Sequence, residues 1–122
     1  MVEVLFFRVG VLLAGAGVAL GAFGAHGLRA RVTPDLLAVF EIGVRYQMYH
    51  ALALLGISLA WTRWSNPHLT AAGYLFIAGI VVFSGSLYLL TITGTRWWGA
   101  VTPLGGVAFL AGWIALLLAA RT

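Results

Sequence analysis

Residues Glu41-Ile-Gly-Val-Arg-Tyr-Gln-Met-Tyr-His50 place a carboxylate, a guanidinium, an amide, two phenols and an imidazole close together in a chain that is 62% hydrophobic. In lipid an ionisable side chain costs about 2.5–3.5 kcal/mol or more, so such residues are functional candidates by default. Helical geometry sorts them into two faces. Glu41, Arg45 and Tyr49 follow one another at i+4, and Tyr46 and His50 form a second i+4 pair. Glu41 and Arg45 read as an intrahelical ion pair that makes two costly residues tolerable. His50 reads either as a core histidine hydrogen-bonded to a serine or a carbonyl, or as a proton relay with Glu41. Further polar groups lie elsewhere: His26 in Gly24-Ala-His-Gly27, Ser84-Gly-Ser86 with Tyr88, and Thr102. Two histidines and one nearby carboxylate do not make a metal set, since structural zinc normally has four ligands. A Ser84 or Ser86, His50, Glu41 hydrolase lacks any nucleophile-elbow spacing. No catalytic residue, metal or cofactor is therefore assigned.

These side chains must be positioned by membrane helices. Only 8% of the chain is charged and mean hydropathy is +1.04, against roughly 25% charged in soluble domains. Seven arginines, no lysine and no cysteine give a net charge of +4 without a nucleic-acid footprint or a disulfide framework. Thr33-Pro34, Asn66-Pro67 and Thr102-Pro103 each pair an N-cap residue with proline at the first helical position. Spans are expected over 4–25, 34–61, 67–90 and 103–120. Arg8 before the apolar run Val9–Leu20 also fits a secretory leader, but the apolar stretch reaching from Val4 to Ala25 favours a first span. Short connections make consecutive helices antiparallel, so 1–122 is expected to form a single all-α domain, an integral-membrane up-down-up-down four-helix bundle. Trp61 and Trp64 mark one bilayer interface and Trp97 and Trp98 the other, while Trp113 falls in mid-span and reads as packing. Gly17-x-x-x-Gly21 with Gly24, and Ala108-x-x-x-Gly112, read as close-packing faces inside the bundle, with a homo-oligomer seam as the alternative. Arg8, Arg63 and Arg121 fall on one side and Arg29, Arg31 and Arg96 on the other, so arginine bias does not orient the chain.

Antiparallel alternation brings polar residues of all four helices into one leaflet. The expected site comprises His26, Arg45, Tyr46, Gln47, Tyr49, His50, Ser84, Ser86, Tyr88 and Thr102. A helix beginning at Pro103 would add free N–H groups and a positive dipole end, suited to an anion or a headgroup.

The strings Gly21-Ala-Phe-Gly-Ala-His-Gly-Leu28, Tyr46-Gln-Met-Tyr-His-Ala-Leu52, Phe83-Ser-Gly-Ser-Leu-Tyr88, Thr102-Pro-Leu-Gly-Gly106 and Gly112-Trp113 resemble the YgdD/YwdK family. These are small bacterial inner-membrane proteins of unknown function with a four-span eukaryotic relative. The resemblance implies four membrane helices in a bacterial cytoplasmic membrane with cytoplasmic termini, and it brings no established activity with it. The family pattern often has an acidic residue directly before Tyr-Gln, where this chain has Arg45. The expected role is non-enzymatic binding of a lipid headgroup, an anion or a partner membrane protein at the polar pocket. An oligomeric transporter or channel for protons, ions or small molecules is the alternative.

Overall fold

The computed structural model describes residues 1–121, so the last residue of the expected domain, Thr122, lies outside the described residues. Helix α1 runs over Val2–Ala25, followed by a 3-10 turn at Leu28–Ala30, and α2 covers Pro34–Ala60. Helix α3 (Pro67–Gly79) passes through a π-helical turn (Ile80–Ser84) directly into α4 (Gly85–Thr93), and α5 spans Trp98–Ala119. Among the described residues there is no strand.

Three helical stretches are long and apolar enough to cross a membrane: Val2–Ala30, Pro67–Thr93 and Trp98–Ala119. Helix α2 has 27 residues, but its polar decade keeps it out of that set, and the structure does not of itself make it a fourth span.

Two of the three expected starts hold. Thr33 Oγ1 accepts from the Leu36 N–H at 3.3 Å. Asn66 Oδ1 accepts from His68 and Leu69 at 3.1 and 3.2 Å. The third does not, because α5 begins at Trp98 and Pro103 lies inside it. The N–H groups of Trp98, Gly99 and Ala100 bond back to the carbonyls of Thr95, Arg96 and Trp97. Those tight turns start the helix before the proline, whose ring then only removes the N–H that Gly99 would have accepted. The expected anion site at Pro103 therefore has no free helix start. The preceding helix also runs past its expected end at 90, to Thr93, where Gly94 at φ +69° closes it by donating to the Leu90 carbonyl at 2.8 Å.

Registers run antiparallel along successive interfaces. On α1 and α2, Glu3 lies beside Ser58, Leu13 beside Gln47 and Gly24 beside Phe40. Between α3–α4 and α5, Phe76 lies beside Gly112, Gly79 beside Phe109 and Ser86 beside Thr102. Trp64 and Asn66 donate to the Arg121 and Ala119 carbonyls at 2.7 and 3.0 Å, which gathers the 61–66 turn and the C-terminal end of α5.

Packing rests on phenylalanines set into glycines. A methyl on Gly112 would come within 2.6 Å of the Phe76 ring, and one on Gly24 within 3.0 Å of Phe40. Gly73 is closed by Phe6 and Gly79 by Phe109, and Gly105 lies against the backbone of Phe83. Lipid is as apolar as a side chain, so burying these rings gains little from the hydrophobic effect. The gain is dispersion contact at close helix approach. Gly10, Gly17 and Gly24 of α1 are buried against Ala51, Met48 and Phe40 of α2, so the small-residue face of α1 serves internal packing.

Candidate functional site

Helix α2 turns a buried stripe of Phe40, Gly43, Gln47, His50, Ala51, Leu54 and Ile57 inward, at the i+3 and i+4 spacing of one helical face. Glu41, Arg45, Tyr46 and Tyr49 fall on exposed positions. The polar decade is thereby split into a sealed seam and an open groove.

The seam centres on Gln47, which is 3% exposed. Its Nε2 donates to the Leu13 carbonyl of α1 at 2.8 Å, and its Oε1 accepts from the Tyr88 hydroxyl of α4 at 2.6 Å. Ser84 donates to the Gly43 carbonyl at 2.6 Å. Thr91 donates to the Leu36 carbonyl at 3.3 Å as well as to Leu87 of its own helix at 2.8 Å. The π turn, closed by the Gly85 N–H reaching back to Ile80, carries both Ser84, which faces α2, and Phe83, whose backbone presses on Gly105 of α5. A π turn inserted in a long helix frequently marks a functional site. Ser86 and Thr102 share a 2.6 Å bond that ties α4 to α5. Among the described residues no buried side-chain polar atom lacks a partner.

The groove lies on the other flank. His50, 4% exposed, stacks on Phe109 with ring centroids 3.6 Å apart and planes 10° from parallel. Its Nδ1 bonds the Tyr46 carbonyl at 2.8 Å, and Trp113 donates to its Nε2 at 3.0 Å. An indole N–H can only donate, so Nε2 must carry a lone pair and Nδ1 the proton. The histidine is thus a hydrogen-bonded core residue with both nitrogens engaged. Beside it opens a cavity of about 580 Å³. Tyr46, Tyr49 and His50 of α2 line one wall and Phe83 of the π turn contributes to it. Pro103, Gly106, Val107, Phe109, Leu110 and Trp113 of α5 complete the lining. No side-chain or remote backbone atom lies within 4 Å of where a Gly106 Cβ would sit.

The expected polar pocket is therefore divided rather than assembled. Tyr46, Tyr49 and His50 line the groove, and Gln47, Ser84 and Tyr88 are consumed in the seam. Ser86 and Thr102 bond each other, and His26 and Arg45 stand exposed outside both sites. The Glu41–Arg45 ion pair is not formed. Among the described residues the only salt bridge is that of the Met1 amino group with Glu3, at 2.7 Å. Both side chains are exposed, where holding two flexible chains in one geometry gains at most about 1 kcal/mol. Among the described residues no three His, Asp or Glu side chains converge. Phe83, Phe109 and Trp113 were not expected in the site. Their signal was the i+4 spacing of Phe109 and Trp113, which matches that of Tyr46 and His50, with a tryptophan too deep for an interfacial anchor.

Residues 20–106 match the family described as "Protein of unknown function (DUF423)". The chain is 47% identical over 116 residues to UPF0382 membrane protein YwdK of Bacillus subtilis, covering 94% of each. It is 46% identical over 115 residues to UPF0382 membrane protein SAB0533 of Staphylococcus aureus, covering 94% of this chain and 93% of the relative. It is 43% identical over 114 residues to UPF0382 membrane protein SH2409 of Staphylococcus haemolyticus, covering 93% of each. No solved structure matches.

Proposed function

We propose that this chain, which belongs to the DUF423 family of membrane proteins of unknown function, crosses the bilayer four times, up-down-up-down, and binds an apolar lipid chain in the α2–α5 groove without catalysing a reaction. Helix α2 is the additional span. At 1.5 Å per residue its 27 residues extend about 40 Å, more than the ~30 Å hydrocarbon core. Its buried polar groups are hydrogen-bonded to the neighbouring helices, so the bilayer meets few of them. Glu41 and Arg45 lie toward its first end, where long side chains reach the interface.

The observation that carries the binding reading is the chemistry of the groove. Its walls are mostly aromatic and aliphatic, and its volume of about 580 Å³ falls within the roughly 300–1,000 Å³ of ligand sites. Both His50 nitrogens are already bonded, so the floor offers nothing to a polar ligand. The Tyr46 and Tyr49 rings stand at the exposed margin, where phenols bridge apolar and wet surroundings.

Gly106→Leu places a side chain in the groove, because Gly106 lines it and no neighbouring atom lies within 4 Å of its Cβ position. Gly15→Leu on α1 is the matched control, with equally open space. Native mass spectrometry of the delipidated protein titrated with a phosphatidylglycerol should reveal one more retained lipid in the wild type and Gly15→Leu than in Gly106→Leu. Equal retention in all three would overturn the reading. So would a wild-type dimer that becomes monomeric in Gly106→Leu, since the occupant would then be a second copy of the chain.

A further inference from the structure

A second cavity, of about 520 Å³, opens on another flank of α2, where the connection after α1 folds back on the start of that helix. Arg29 of the 3-10 turn and Glu41 of α2 contribute its charges, and Val32, Leu37 and Ala38 give it an apolar floor. Both charged side chains are exposed, and they do not close on each other: no Arg29–Glu41 ion pair lies within 4.0 Å. Opposite charges that border one cavity without pairing complement a ligand that itself carries both signs.

The surroundings place such a ligand at a membrane surface. The cavity sits at the end of the first apolar stretch, Val2–Ala30. The Thr91–Leu36 bond brings the end of α4 against the start of α2, and the Trp97–Trp98 ring pair follows, with Trp97 exposed. Paired tryptophans at a helix end mark the headgroup layer. Here the zwitterions at hand are phospholipid headgroups. A phosphate is matched by a guanidinium, which can bond it in a bidentate manner. An ammonium with free N–H groups is matched by a carboxylate, which accepts those N–H groups, whereas a trimethylated ammonium offers it none.

We propose that the Arg29–Glu41 cavity binds the headgroup of an ethanolamine-type phospholipid, with its phosphate on Arg29, its primary ammonium on Glu41 and its glycerol end against Leu37 and Ala38. The site is separate from the α2–α5 groove and can fail or hold independently of it.

The test uses full-length protein in the Gly106→Leu background, which blocks the groove, so that a lipid bound there does not obscure the result. Native mass spectrometry measures competition among palmitoyl-oleoyl phosphatidylethanolamine, phosphatidylcholine and phosphatidylglycerol. The expected result is a preference for phosphatidylethanolamine of about fivefold, the order of one exposed charge contact. Glu41→Gln abolishes that preference, and Arg29→Gln weakens all three lipids. Asp35→Asn makes the same charge change at an exposed position of α2 outside this cavity, and it leaves the preference intact. Absence of preference in the parent, its persistence in Glu41→Gln, or an equal loss in Asp35→Asn would each overturn the assignment. The last would reduce it to general surface potential. Thermal melting in detergent keeps the variants interpretable, because both charged residues are exposed and their substitution leaves the fold unchanged.

Discussion

Gln47 and His50 are neighbours on the inward stripe of α2, yet the two flanks they serve have opposite designs. At Gln47 every polar atom is spent within the protein: the amide bridges the α1 backbone and the Tyr88 hydroxyl, and Gly43 and Ser84 close the seam beside it. At His50 the imidazole is equally satisfied, by the Tyr46 carbonyl of its own helix and the Trp113 indole of α5. The groove beside it stays open, and Gly106 on its wall supplies no side chain to fill it. Satisfying a buried polar group and filling the space beside it are separate problems. This protein solves both at the seam and only the first at the groove, which is why the groove carries the binding proposal.

Glycine-to-alanine changes probe that contrast directly. At Gly43 the new methyl would lie 2.8 Å from the Tyr88 ring, pushing the phenol off Gln47. Overpacking of this kind costs about 1–3 kcal/mol, so Gly43→Ala should show the largest loss of stability in a denaturing-detergent titration. Gln47→Leu removes the bridge but keeps the volume and leaves the half-buried Tyr88 hydroxyl without its Gln47 acceptor. A loss of about 1–2 kcal/mol is expected in the same titration. Trp113→Phe keeps an aromatic wall but takes the donor from His50 Nε2. It should cost about 0.5–1 kcal/mol and shift the His50 ring-nitrogen NMR signals while leaving those of the Gln47 amide in place. Gly106→Ala adds the same methyl as Gly43→Ala but into open space, and should change stability by less than about 0.5 kcal/mol. If Gly106→Ala proved as costly as Gly43→Ala, the groove would be a tightly packed core and the contrast would collapse.

Much of the scaffold was legible because its signals are local. Thr33-Pro34 and Asn66-Pro67 start helices through caps that need only their own neighbours. The Gly17, Gly21 and Gly24 spacing marked a packing face whatever helix was to meet it. Thr102-Pro103 misled for a related reason: cap-plus-proline describes a permitted start, while the actual start was decided by the 95–98 turns upstream. The π turn at Ile80–Ser84 left no local mark beyond glycines and serines, since its register is stabilised by Gly43 and Gly105 on other helices. Arg45 and Glu41 had the spacing of an ion pair, but exposed charges gain too little from pairing to be held together.

The sequence by itself determined that this is a helical membrane protein of the DUF423 family, and which residues are polar enough to need explanation, because composition and helix caps act over a few residues. Tertiary structure alone decided which of those residues are sealed and which border open space. That depends on which helix presents a glycine, a phenylalanine or a carbonyl opposite each one. Tyr46 and Gln47 are adjacent in the chain, and only the packing of α1, α4 and α5 around α2 sends one to the groove and the other to the seam.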